Sequence, residues 1–312
     1  MNGVLIIDKP SGLTSHDVVN RVRRMLGQRS IGHLGTLDPM ATGILPLVTG
    51  NFTRLAQFYV NSEKSYEGAI RFGFSTDTYD AEGEPTSDPR PVAFGQDQLE
   101  SAAARFRGLI QQTPPPFSAK KVKGIPAYKL ARKQQAVTLN PVQIEIKEFA
   151  ITSFDAGRAH FRARVASGTY MRSVAHDIGQ LLGCGAHLES LRRTQVAEFT
   201  LADAHTLEEL VAAAGKSAVG PARPLVSPEG AVDDLLADLF IHPRKLLPHL
   251  PCVTADETAT ALIRNGRAVN LPELSRARQV KVFAGQRNLI AIATRVAGTL
   301  FHPKIVLSVS QP

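Results

Sequence analysis

The sequence predicts an α+β protein, a large N-terminal body followed by a small C-terminal β-barrel. Along most of the chain, apolar residues recur at helical spacing in some segments and alternate at strand spacing in others. Three short strand-like runs, QVKVFA (279–284), LIAIAT (289–294) and KIVLSV (304–309), then follow one another with turn residues between them. The length of 312 residues suits one large and one small domain, placed at 1–248 and 249–312.

VLIID (4–8) reads as a buried strand. SHDVVNRVRRMLG reads as a helix with Val18, Val19, Val22, Met25 and Leu26 on one face, Thr14 and Asp17 as a capping box, and Gly27 as its stop. YEGAIRFG from Tyr66 alternates, and residues 77–83 turn after it. Residues 96–107 are predicted helical. QQTPPPFSAKKVKGIPAYKLARK then breaks regular structure at prolines 114, 115 and 116. HFRARVA sends Phe161, Ala163 and Val165 inward and Arg162 and Arg164 outward, and a helix begins near Met171 and stops at Gly183. The Pro-rich segment 217–230 is expected to be a flexible insertion. TADETATALIRNG is expected to be a helix capped by Thr254 and Glu257 and ended by Gly266.

Hydrophobic residues at 43% and charged residues at 21% describe a folded chain, and the formal charge of +8 favours polyanionic partners. Cys184 and Cys252 form no CxxC, so neither a zinc knuckle nor a disulfide framework is expected, and a reducing cytoplasm suits the chain. The apolar stretch in MNGVLIIDKP is too short for a signal sequence, and no segment is apolar for long enough to span a membrane. Phosphate-loop, HExxH and GxSxG motifs are missing, and Gly183 and Gly185 lack the third glycine of a dinucleotide fingerprint. No cofactor and no metal are expected.

Residues 31–47 combine Gly32, Gly35 and Gly43 with one carboxylate, Asp38, directly before Pro39, which biases it away from helix. An isolated Asp-Pro most often only starts a turn, although a carboxylate on such a loop can also act as a covalent nucleophile. Tyr66 suits either a core position or stacking on an extruded base. Arg172, two residues past Tyr170, suits either solvent or a pairing that keeps a buried aspartate ionised. KKVKGIPAYKLARK and the arginine pairs 23/24 and 192/193 would track phosphates if they shared a face.

The segments GVLIIDKPSGLTSHDVVNRVRR, GHLGTLDPMATGILPL, KSYEGAIRFGFSTDTYDAEG, QQTPPPFSAKKVKGIPAYKLAR, SGTYMRSVAHDIG and AHLESLRRTQVAEF, in this order, resemble the TruB family of tRNA pseudouridine synthases over nearly the whole chain. The resemblance implies a pseudouridine synthase fold, a mixed and largely antiparallel sheet flanked by helices and loops, with a PUA-like C-terminal domain. It implies that Asp38 is the catalytic aspartate, Tyr66 the active-site tyrosine and Arg172 the arginine that pairs with the aspartate. It assigns support and RNA-binding roles to His33, Asp80, Tyr170 and Leu191. Asp80 would bond the arginine, and His33 would fill the space left by the flipped uridine. Lys9 and Pro10 match a structural Lys-Pro. Leu34 stands where the family has threonine, and Met171 and Ser173 where it has isoleucine and threonine; Leu34 is expected to alter how the loop packs around RNA.

The implied reaction isomerises the T-loop uridine of tRNA, position 55, to pseudouridine with the target base flipped out, without a cofactor. Asp38 either attacks C1′ or promotes a glycal route assisted by Tyr66. The partner is the tRNA T-arm, with no membrane and no obligate protein partner, and the chain is expected to be monomeric and cytoplasmic. A guide-dependent or ribosomal-RNA synthase, and a non-catalytic tRNA-folding module, are the alternatives.

Overall fold

Strand β1 (Gly3–Lys9) carries a continuous apolar run, Val4 to Ile7, because both of its faces are covered. Leu5 and Ile7 pack with Val18, Val19, Val22 and Leu26 of helix α1 (Ser15–Leu26), while Val4 and Ile6 join a second core that reaches the C-terminal sheet. The ends of α1 are fixed as its sequence predicts. Thr14 Oγ1 accepts from Asp17 N at 3.0 Å, the Asp17 carboxylate accepts from Thr14 N at 3.0 Å, and Gly27 adopts φ 58° at the C-terminal cap. The computed structural model describes residues 1–122, 124–133, 135, 138–213, 234–273 and 275–307; the segment 217–230 lies outside them.

The chain continues through β2 (Ile31–His33), β3 (Thr42–Thr49), α2 (Ala56–Tyr59), β4 (Lys64–Phe72), α3 (Gln96–Ala104) and β5 (Gly108–Gln112). In the segment expected to be irregular, a short hairpin of β6 (Lys121–Val122) and β7 (Ile125–Pro126) leads into α4 (Ala127–Ala131). Then come β8 (Val142–Asp155), β9 (Arg158–Val165), α5 (Met171–Leu181), β10 (Ala186–Val196), β11 (Phe199–Thr200), α6 (Leu207–Ala213) and α7 (Asp234–Ala237). Nine strands form one sheet in the order β1-β3-β10-β4-β9-β8-β5, with β2 added to β3 and β11 to β10. Every pairing in it is antiparallel except β3 with β10.

The inner face of β4, β8, β9 and β10 packs beneath α3 and α5, with Ile70, Phe72, Phe149 and Phe161 in the core. β9 alternates as its sequence predicts, with Phe161, Ala163 and Val165 buried. Its outward arginines are paired: Arg162 with Glu67 at 3.1 Å and Arg164 with Glu63 at 3.3 Å, exposed contacts worth about 0–1 kcal/mol each.

The C-terminal part holds β12 (Cys252–Ala255), α8 (Glu257–Arg264), β13 (Val269–Asn270), β14 (Gln279–Ala284), β15 (Asn288–Ala297) and β16 (Leu300–Val306). These strands make a curled five-stranded sheet in the order β12-β14-β15-β16-β13, with Ile263 of α8 in its core. Its other side meets the main sheet, where Phe283, Ile292 and Ile305 share a core with Val4, Ile6, Ile44 and Val48. The α8 cap differs from expectation. Thr254 lies inside β12, and Asp256 caps the helix by accepting from Ala259 N at 2.7 Å. The β12 pairing with β14 takes up Thr254 and moves the helix start two residues on.

The junction between the two sheets is polar as well as apolar. The Glu198 carboxylate accepts from the Tyr59 hydroxyl at 2.6 Å and from Leu247 N at 2.8 Å. Lys281, 1% exposed, donates to the carbonyls of Arg244 at 2.9 Å and Leu246 at 2.6 Å. Residues 244–247 are therefore fastened from both sides.

One position limits how closely β3 and β10 approach. Gly43 has φ +95°, and a Cβ there would lie 2.2 Å from Arg193 O and 2.7 Å from Arg193 N. Gly43→Ala is expected to lower the unfolding free energy by roughly 3 kcal/mol, measured by denaturant titration. A change within about 0.5 kcal/mol, typical of a neutral surface site, would show that the strands are not in contact there.

Candidate active site

Asp38 sits on the loop 34–41 between β2 and β3, and the loop is held from below. Leu37 and Ala41, 3% and 0% exposed, are buried in the same core as Tyr66, Met171 and Leu191. Asp38 and Pro39 form the crest between these anchors. Polar bonds then fix the backbone. Ser15 Oγ donates to Leu37 O at 3.1 Å and accepts from Leu37 N at 2.8 Å. The buried Lys9 Nζ donates to Pro39 O at 3.0 Å, Pro10 O at 2.8 Å and Leu13 O at 2.7 Å, and Gly12 N donates to Pro39 O at 2.9 Å. Arg193 donates through Nη2 to Gly35 O at 3.0 Å, Nη1 to Thr36 O at 3.2 Å and Nε to Ile44 O at 2.9 Å.

Arg172 lies in the first turn of α5 and is 5% exposed. A guanidinium this buried needs its donors paired. Its fork grips Asp38 at both oxygens, Nε to Oδ2 at 2.9 Å and Nη2 to Oδ1 at 3.1 Å. Two further donors reach Thr78 O at 3.1 Å and Phe117 O at 3.0 Å, and Asp80 Oδ2 lies 3.6 Å from Nε. The arginine thus ties together the Asp38 loop, the loop after β4 and the segment that leads to the β6–β7 hairpin. The Asp38 side chain keeps 31% of its surface exposed, against 6% for Arg172, so the carboxylate presents an open side.

The second loop is fixed by its own contacts. Asp80, 4% exposed, accepts from Thr78 Oγ1 at 2.6 Å and Glu82 N at 3.1 Å. Tyr79 adopts φ 65°, and its ring stacks on His176 at 3.8 Å, one turn along α5 from Arg172. Tyr66 on β4 and Leu191 on β10 are 9% and 7% exposed and share a core with Leu37 and Ala41 of the Asp38 loop. Tyr170 is held at the start of α5 by Gln112, which accepts from its N at 2.8 Å and donates to its O at 3.0 Å. Burial pushes the Tyr170 phenol above its ordinary range. His33, half-buried at the end of β2, accepts from Gly35 N at 3.3 Å through Nδ1. Burial, with Arg193 nearby, lowers its pKa.

The structure therefore places Asp38, Arg172 and Asp80 in direct contact or near-contact, with Tyr66 and Leu191 in the adjoining core. Tyr170 precedes Arg172, and His33 stands at the entry to the loop. Sequence reasoning missed Ser15, Gln112 and Glu82 and misread Arg193. Burial, then the neighbouring Asp80 and Asp38, raise the Glu82 carboxyl. Arg193, read with Arg192 as part of a phosphate-tracking surface, is 1% exposed because its three carbonyl partners draw it inward. Arg192 is occupied too, by Asp8 at 2.7 Å and 3.1 Å. Arg23 donates to Ile31 O at 2.8 Å, while Arg24 is exposed. Leu34 is 6% exposed in the core shared by the two sheets, at the start of the Asp38 loop. Lys120, Lys121, Lys129, Arg132 and Lys133 do remain exposed, beyond Phe117. Among the described residues no group of three or more His, Cys, Asp or Glu is placed to hold a metal ion.

Lys9 gives a pH signature. Burial lowers its pKa from 10.5 to about 8. Below that value the buried charge disfavours the fold in full; as pH rises toward 10.5 the unfolded chain holds the extra proton, so stability rises. Lys9→Met, which strips three carbonyls of their donor, is expected to cost roughly 2–4 kcal/mol at pH 7. Its deficit relative to the wild type should widen between pH 8 and 10 in denaturant titrations, about the span over which Lys9 releases its proton in the fold. A constant deficit would contradict the buried cation.

The family model for the N-terminal domain of TruB family pseudouridylate synthases matches residues 23–171, and that for the tRNA pseudouridylate synthase B C-terminal domain matches 172–231, a span that includes 217–230. A tRNA pseudouridine synthase B of Solibacter usitatus is 47% identical over 310 residues, covering 98% of this chain and 100% of that protein. One of Aquifex aeolicus is 45% identical over 213 residues, covering 68% of this chain and 74% of that one. A chain in the crystal structure of a Cbf5–Nop10–Gar1 complex shares the fold, with a TM-score of 0.68 and 24% identity over 98% of this chain and 85% of that one. With its sheet order, its pinned aspartate loop and a relative alike along its whole length, the chain belongs to the TruB family of pseudouridylate synthases.

Proposed function

We propose that the protein converts the T-loop uridine at position 55 of tRNA to pseudouridine, with Asp38 as the group that acts at C1′. The observation that carries this reading is the two-point grip of buried Arg172 on an aspartate that keeps an open side, on a loop fixed at its carbonyls. The likeness to tRNA pseudouridine synthase B proteins supports tRNA over ribosomal RNA as the substrate.

The reaction is an isomerisation. The N1–C1′ bond breaks, uracil turns within the pocket, C5 bonds to C1′, and the C5 proton leaves as N1 gains one. Asp38 either bonds to C1′ as uracil departs or promotes loss of a C2′ proton toward a glycal, assisted by Tyr66. In both routes the base must be out of its stack and confined, a role suited to Tyr66 and Leu191. Arg172 and Asp80 position Asp38. His33 and Tyr170 contact RNA at the rim, with His33 in the space the flipped base leaves. Residues 249–312 form an RNA-binding domain, and the exposed lysines beyond Phe117 meet the T-arm backbone. We read the protein as a monomer that acts alone in the cytoplasm; no described helix is long and apolar enough to cross a membrane.

Incubating purified protein with an unmodified tRNA transcript and mapping pseudouridine at base resolution tests substrate, position and independence from a guide. Product at position 55 is expected, and no product without an added guide RNA would favour the guide-dependent alternative. Asp38→Asn should bind tRNA within about threefold of wild type while product formation falls at least ~1,000-fold. Appreciable turnover by that variant would remove Asp38 from the chemistry.

A further inference from the structure

Beside the Asp38 loop, on the side of Tyr66, lies positive charge that the fold does not neutralise. None of the ion pairs among the described residues involves Arg193, Lys64 or His33. Among the described residues Arg193 is bonded only to carbonyls, which orient the guanidinium without cancelling its charge. Lys64 is 9% exposed and two residues before Tyr66 on β4, so the two side chains leave the strand on the same face. Among the described residues its Nζ has one acceptor, Ser62 O at 2.6 Å, which leaves two N–H donors without a described partner.

Gly35 connects the group. A Cβ on it would lie 3.5 Å from Arg193 Nη1 and 3.8 Å from Lys64 Cε, so the loop backbone passes directly over both side chains. Because His33 Nδ1 accepts from Gly35 N, its proton sits on Nε2 and is free to be donated. Burial and the proximity of Arg193 depress the pKa values of both Lys64 and His33, Lys64 to about 8. Desolvating a cation without a counter-charge is unfavourable, and an anion brought in by the substrate would offset that cost.

We infer that Lys64, backed by Arg193 and flanked by His33, binds one backbone phosphodiester of the RNA close to the nucleotide that Asp38 and Tyr66 receive. The inference rests on the proposed action on tRNA. A phosphodiester fits because it carries a single charge and oxygens that accept from an ammonium and an imidazole N–H together. The contact would set the register of the strand, so that the phosphate is seated when the base enters the pocket.

The test uses ligated full-length tRNAs in which single phosphates around the target uridine are replaced by neutral methylphosphonates. Each modified linkage carries a 2′-O-methyl group on its 5′ nucleotide, and a control has the same methyl group with an ordinary phosphate. Dissociation constants and kcat/KM are measured for wild type, Lys64→Met and Lys64→Arg, with thermal unfolding to compare folding. At one linkage, neutralisation should weaken binding by wild type about tenfold. Lys64→Met should bind the control about tenfold more weakly and lose nothing further at that linkage, with a smaller slope of log Kd against log salt; Lys64→Arg should keep most of the affinity. Should Lys64→Met fold poorly, Lys64→Gln takes its place. Losses that simply multiply at every linkage would overturn the subsite. Because binding is read separately, absence of pseudouridine from wild type would fail the functional reading, while uncoupled binding would fail the subsite alone.

Discussion

A guanidinium taken out of water must find acceptors for its donors, and Arg172 finds them on three segments that are far apart in the chain. Asp38 is 134 residues away, Thr78 94 and Phe117 55. The requirement to satisfy one buried charge therefore brings the β2–β3 loop, the loop after β4 and the root of the basic hairpin to the same point. Helix α5 sets where that point lies. Its first turn delivers Arg172, and one turn later His176 holds Tyr79, whose neighbours Thr78 and Asp80 face the arginine. The site is assembled by long-range packing around one side chain.

The Asp38 loop itself is held mainly through its carbonyls. Lys9, Arg193 and the Ser15 hydroxyl bind the oxygens of residues 35, 36, 37 and 39. This fixes the carboxylate in advance, so that in the proposed reaction orientation need not be supplied when substrate binds. The arrangement costs stability, since Lys9 and Lys64 are both desolvated enough to lower their pKa values to about 8. Buried cations beside a pocket are tolerable when carbonyl dipoles or an incoming anion compensate them.

Local rules made much of the fold legible. The capping box at Thr14, the left-handed Gly27 and the alternation of β9 act over a few residues, and each is found where the sequence places it. The continuous run in β1 marks a strand covered on both faces. Where a local signal competed with strand pairing it misled, as at Thr254, which β12 takes up so that Asp256 caps α8. Asp38 alone read as no more than a turn, because what distinguishes it lies 134 residues away. Arg193 was misread for a related reason. Residue type predicts an exposed arginine, and only the tertiary path of loop 34–41 explains why this one is buried. Family resemblance supplied the partners of Asp38, whereas the donors beneath its loop emerged only in three dimensions.

The claim on which this account turns is that the Arg172 fork orients Asp38 for reaction. Single-turnover pseudouridine formation by Arg172→Lys, alongside its tRNA affinity, tests it directly, because lysine retains the charge but cannot grip both oxygens. The account predicts a rate at least ~100-fold below wild type with affinity within about threefold. A single-turnover rate within about threefold of wild type would show that charge alone suffices and that the two-point grip does not position the carboxylate.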